Sequence, residues 1–273
     1  MTILRFFLAI ILLSLPFQLF AQETTTSRGR GGWGFSPLQT KKTQADQLRE
    51  KILCAFEKNN LPKDMKSNQR KRADYLSRHL SEIFSRLEPD WTTLELQHSL
   101  AQAVAETGNL RDVVELPSKH KSSRSKYKGR GLIQTTHKTN YAQLAGCAQT
   151  MKNNPLPQSI SREALARSPR LMNSNLVRNP DQAMSERTQE GQFLNAASLV
   201  CYMVNTSERH KRLKKAMSCA NPPCVREVGV AVNRGPGALG KGRKPLGDAH
   251  RIRAFCRMNS CFGNQGRCAT GGR

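Results

Sequence analysis

The chain has 273 residues, with 44 Lys and Arg against 20 Asp and Glu and a formal net charge of +24. A field of that size favours polyanionic partners and speeds encounter with them. After residue 21 no apolar run approaches the ~20 residues that a membrane span needs, which argues against a protein with several spans.

In chain order, residues 1–21 (MTILRFFLAIILLSLPFQLFA) join a basic start at Arg5 to an apolar stretch, with Ala21 at a suitable cleavage position. That pattern predicts a signal peptide and a secreted or periplasmic protein. Residues 22–42 are dominated by Gly, Thr, Ser and Arg, and predict a flexible basic arm with no core of its own. Its RGRGGWGF run is of a kind that can bind RNA through Arg and aromatic stacking. One short copy behind an export signal is not enough, and no nucleic-acid partner is expected. Basic residues spread over 61–78, 119–130, 209–215 and 241–253 read as a general cationic surface, suited to an anionic cell wall or membrane surface.

Residues 43–273 read as one mainly α (α+β) domain, expected to be a monomer. Leu48, Ile52 and Ala55 mark a first helix, and Ala73, Leu76, Leu80, Ile83 and Leu87 a second, closed by Pro89. A third runs from Leu96 to Glu106. Lys126–Thr136 predicts short strands or a hairpin. Residues 152–190, rich in Pro, Asn, Ser and Arg, predict a surface wrap with one or two short helices. Phe193–Val204 is apolar nearly all round and predicts a buried central helix. Val225–Val232 begins the last core helix.

Eight cysteines follow residue 21, an even number that predicts disulfides in an exported chain without fixing their pairing. Cys219 and Cys224 can close a small loop, and Cys256, Cys261 and Cys268 suggest a stapled tail. There is no Cys-x-x-Cys or His-x-x-x-His pair, so neither a metal nor another cofactor is expected.

Two glutamates lie nine residues apart in unlike settings. Glu106 falls in the last turn of the third helix, before Gly108, where exposed carbonyls disfavour a negative charge. Glu115 falls in a loop followed by Lys119, His120, Lys121 and Arg124, cations that favour the ionised form. One carboxyl suited to hold a proton and one suited to stay ionised is what glycosidic hydrolysis needs. Taken singly, each reads first as an ordinary surface glutamate, since exposed is the default for Glu.

Ala105-Glu106-Thr107-Gly108 and the later run of Tyr127, Gly129, Arg130, Gly131, Ile133, Gln134, Thr136, Asn140 and Tyr141 resemble the motifs of glycoside hydrolase family 19, which holds chitinases and endolysins. The resemblance implies a lysozyme-like helical domain with a small β-hairpin lobe and a cleft between them. It implies an inverting mechanism with Glu106 as acid, Glu115 as base and Thr136 helping to hold the attacking water. Tyr127, Gln134 and Asn140 would contact sugar. EVGVAVNRGPG, residues 227–237, is similar to a family helix ending in a substrate-binding asparagine, here Asn233. A plain helix C-cap is the other reading of that residue. DAHRIRAF, residues 248–255, resembles a segment whose arginine, here Arg251, would steady the base. Arg130 and Arg251 thus support the site from behind. The family's histidine before the acid is Ala105 here, its glycine after the asparagine is Arg234, and a glutamate beyond the asparagine is missing. Peptidoglycan is the first expected substrate, chitin or its oligomers the second, and a non-catalytic wall-binding protein the alternative.

Overall fold

Helices carry nearly all the regular structure in the computed structural model, which describes residues 42–59, 66–87, 91–115, 126–154, 158–263 and 268. These belong to one compact unit, residues 41–273. The expected signal peptide, nearly all of the basic arm, Pro89 and the cations following Glu115 lie outside the described residues.

The first helices follow the apolar spacing. α1 (Gln44–Asn59) and α2 (Ser67–Leu87) pack against each other, α2 burying Leu76, Leu80, Ile83 and Phe84 on one stripe. α3 (Thr93–Glu106) starts at a capping box: Glu95 N–H donates to Thr92 Oγ1 at 3.2 Å, and Thr92 N–H donates to Glu95 Oε2 at 2.9 Å. The other Glu95 oxygen accepts from Arg162 at 2.8 Å, and both residues are buried. The start of α3 is thereby anchored at the far end from Glu106.

α4 (Lys138–Asn153) is followed by three short helices, α5 (Arg162–Ala166), α6 (Asn175–Arg178) and α7 (Pro180–Ala183). The surface wrap therefore holds one more helix than expected. Ser161 and Ser174 each cap one of them, and Pro180 starts the third. α8 (Gln189–Arg209) is the central helix, longer at both ends than the apolar run suggests. α2, α3, α4 and α5 all pack on it, burying Leu194, Ala197, Val200 and Val204. Then come α9 (Lys211–Met217), α10 (Pro222–Arg234), α11 (Asp248–Arg257) and α12 (Asn259–Phe262). α10 is thus not the last core helix: α11 packs on α3 and buries Arg251, Ala254 and Phe255.

The strands expected over residues 126–136 do not form, and no strand occurs among the described residues. Two isolated antiparallel bridges stand there instead, Val114 with Arg130 and Arg130 with Thr135. The chain turns back within Gly131–Gln134, too tightly for a ladder to grow. The Arg130 side chain also occupies the carbonyls of Lys126 and Lys128, at 3.0 and 3.1 Å.

All eight cysteines pair: Cys54–Cys261, Cys147–Cys201, Cys219–Cys224 and Cys256–Cys268. Four disulfides match an oxidising compartment outside the cytosol. Among the described residues no helix is long and apolar enough to cross a membrane.

Candidate active site

The third helix delivers Glu106 at its C-terminus, where the Thr107 N–H closes the last turn on Ala103 O at 3.0 Å. Gly108 then takes φ 54°, which lets the chain leave the helix sharply. One helical turn before Glu106, on the same face, is Gln102, fully buried. Arg251 from α11 meets both. Its Nη1 donates to Gln102 Oε1 at 2.5 Å, its Nε donates to Leu246 O at 3.0 Å, and its Nη2 donates to Glu106 Oε1. Arg251 is expected from the sequence to steady Glu115; the structure gives it to Glu106. The reason is packing: α11 lies along α3, which carries Glu106, whereas Glu115 sits on the loop beyond.

Glu115 is held by residues 126–136. Its N–H donates to Gly129 O at 2.8 Å, and its Oε2 accepts from Gly129 N–H at 2.9 Å. Gln134 lies against the same glycine and donates from Nε2 to Asp112 O at 3.2 Å. Behind this loop Arg130 is buried, with Nη2 2.5 Å from Asp181 Oδ1 and Nη1 2.8 Å from the Tyr141 hydroxyl. The Tyr141 hydroxyl donates in turn to Lys128 O at 2.7 Å, and burial pushes its pKa up to about 12, so it remains a donor. Arg130 therefore acts as a pin beneath the loop.

Among the described residues, four non-glycine residues have positive φ: Asn109, Leu110, Gln134 and His137. All fall in the two segments, 107–115 and 126–137, that carry or hold Glu115. Such backbone is costly and persists only where its surroundings over-determine it.

Glu106 and Glu115 line one cavity of about 590 Å³, together with Gln134, Thr136 and Asn233. A second cavity of about 290 Å³ shares Gln134, Thr136 and Asn233 and adds Asn140 and Tyr202. Seven of the nine expected site residues are thereby accounted for on these walls or, for Arg251, directly against Glu106. Arg130 supports the loop from behind. Tyr127 does not line either cavity: its hydroxyl donates to Val177 O at 3.3 Å and its ring lies 5.7 Å from that of Tyr141. Asn233 accepts on Oδ1 from Leu246 N–H at 3.1 Å, and α10 ends on Gly235 at φ 79°. It is a wall residue of both cavities that also ties down the chain leading to α11.

Sequence reasoning missed Gln102 and Tyr202. The spacing of Gln102, four residues before Glu106, is a usable signal. Tyr202 carries none, since it lies inside an apolar run. Its hydroxyl donates to Ala231 O at 2.8 Å, and burial first, then the Glu106 charge, push its pKa up to about 12.

No protein-family model, curated protein or solved structure matches this chain.

Proposed function

We propose that this chain is an exported glycan hydrolase of the family 19 type, lysozyme-like in plan, that cleaves β-1,4 bonds of peptidoglycan by an inverting acid/base mechanism. The observation that supports this most is the pair Glu106 and Glu115 on the walls of one cavity, with Gln134, Thr136 and Asn233 between polar walls. In this reading Glu106 protonates the leaving oxygen, while Glu115 and Thr136 activate and hold a water on the opposite face of the sugar. An inverting pair stands about 6.5–9.5 Å apart to admit that water. The net charge of +24 favours an anionic wall polymer over neutral chitin, which is the second substrate.

One observation favours a non-catalytic, wall-binding alternative. Glu106 is in contact with the Arg251 guanidinium, a partner for a carboxylate more than for a proton donor. The test is digestion of purified sacculi and of chitin oligomers by the parent and by Glu106→Gln. Under the proposal the parent clears sacculi faster than it releases oligomers, and Glu106→Gln binds sacculi but has lost nearly all turnover. Parent-like clearing by Glu106→Gln would reject the mechanism. Binding without clearing by the parent would select the alternative.

A further inference from the structure

Three consecutive residues beyond α3 have positive φ: Gly108 at 54°, Asn109 at 60° and Leu110 at 60°. Left-handed backbone comes freely to glycine but is costly for the other two, so their surroundings must hold it. Part of the hold is local. Asn109 N–H donates to Val104 O at 2.8 Å, Leu110 N–H donates to Thr107 Oγ1 at 3.0 Å, and the Leu110 side chain is fully buried.

The carbonyls of this segment are held from outside it. Gln69, Arg72 and Tyr75 follow at three-residue spacing on one face of α2. Gln69 Nε2 donates to Asn109 O at 2.8 Å, and Arg72 Nη1 donates to Leu110 O at 3.1 Å and also to Arg111 O. Three successive carbonyls thus accept from one helix. Arg72 is itself fixed: its Nε and Nη2 donate to the two carboxylate oxygens of Glu186 at 2.7 and 2.8 Å, the two-point fit of a planar guanidinium. Glu186 Oε1 also accepts from the Tyr75 hydroxyl at 2.7 Å, and Glu186 O accepts from Gln192 Nε2 on α8 at 2.9 Å. Contacts therefore run from α8 through Glu186 and Arg72 to the backbone of residues 110 and 111. Arg111, Asp112, Val114 and Glu115, which follow at once, line the larger cavity, whereas Arg72 and Glu186 do not.

We propose that Arg72 is a positioning residue: it holds the Leu110 and Arg111 carbonyls so that the segment from Arg111 to Glu115 keeps a fixed place on the cavity wall. Its effect on turnover passes through Glu115, and the proposal rests on the glycan-hydrolase reading above. Glu186 is the anchor that keeps the guanidinium aimed at the two carbonyls.

The test compares three variants with the parent by thermal melting, by amide hydrogen exchange, and by turnover of whichever of solubilised glycan strands and chitin oligomers the parent cleaves. Arg72→Lys keeps the charge beside Glu186 but has no fork to span a carboxylate and two carbonyls at once. It should melt near the parent, keep KM within about twofold and lose about tenfold to a hundredfold in kcat, because a displacement of about 1 Å at a reacting group is enough for such a loss. Amides of residues 107–112 should exchange about tenfold faster in it, while those of α8 stay unchanged. Glu186→Gln leaves Arg72 in place with a neutral acceptor, and should lose less kcat than Arg72→Lys. Tyr75→Phe takes a hydrogen bond from the same carboxylate without removing any bond to residues 109–111. It should keep the parent kcat even where it melts lower.

Parent-like kcat in Arg72→Lys, or unchanged exchange at residues 107–112, would overturn the proposal and leave the hydrolase reading intact. Loss of kcat in step with melting temperature across all three variants would make Arg72 a structural residue and likewise overturn it. Should Arg72→Lys fail to fold, Glu186→Gln decides alone: a lowered kcat at parent-like KM supports the proposal, and a parent-like kcat overturns it. If the parent cleaves neither substrate, the hydrolase reading fails first and takes this inference with it.

Discussion

Arg251 reaches across 145 residues of sequence to hold Glu106, and its second amine is held by Gln102 on the same helix. The two anchors make a clamp: α3 offers a carboxylate and an amide oxygen one turn apart, and α11 supplies one guanidinium that fits both. A planar fork suits two acceptors at once, which an ammonium does not.

That clamp is testable by removing its centre. Arg251 is 3% exposed and Glu106 16%. Arg251→Ala leaves a largely buried carboxylate without its cation, and should cost about 3 kcal/mol in urea denaturation. Arg251→Lys should lie between the parent and Arg251→Ala, since it keeps the charge and loses the fork. A parent-like stability for Arg251→Ala would mean that the contact contributes nothing.

Gly229 on α10 guards the same contact. A Cβ there would meet Arg251 Cδ at 2.9 Å and Pro245 Cγ at 3.0 Å. Alanine in a helix interior gains up to about 1 kcal/mol over glycine, but overpacking costs about 1–3 kcal/mol. Gly229→Ala should therefore be neutral to mildly destabilising, yet lose about tenfold to a hundredfold in sacculus clearing as Arg251 shifts Glu106. Full clearing with raised stability would show that the side chains yield without moving the carboxyl.

His98 on α3 should give the fold an acid-side weakness. Its Nε2–H donates to Cys219 O at 2.7 Å, and burial lowers its pKa from 6.5 to about 4. The folded state thus refuses a proton that the unfolded chain accepts in this window. The contribution is fully present above pH 6.5 and is lost as the pH falls through about 4. His98→Gln retains a donor and removes the titration. The stability gap between parent and variant should narrow as pH falls across that window, and a gap independent of pH would remove His98 from the account.

The four disulfides should differ in value. Cys54–Cys261 spans 207 residues and Cys219–Cys224 only 5. By loop-closure entropy, removing the long bridge with paired Cys→Ala changes should cost about 5 kcal/mol, and the short one about 2 kcal/mol. Equal losses in chemical denaturation would place the stabilisation in the folded state's contacts instead.

The sequence determined what depends on near neighbours. Apolar residues at helical spacing set α2 and α3, so Glu106 is legible at a helix end before Gly108. The spacing from Glu106 to Glu115, and the glycines around Arg130, mark two segments able to wall a site. An even count of eight cysteines announces disulfides, though not that Cys54 meets Cys261. Tertiary structure alone decided that pairing, because it requires α1 and α12 to lie side by side. It likewise gave Arg251 to Glu106 rather than Glu115, through the packing of α11 on α3. It replaced the expected hairpin with two bridges, because the same turn-rich pattern serves a ladder or a pinned loop, and buried Arg130 chose the loop. It withdrew Tyr127 from the cavity wall by turning its hydroxyl to Val177.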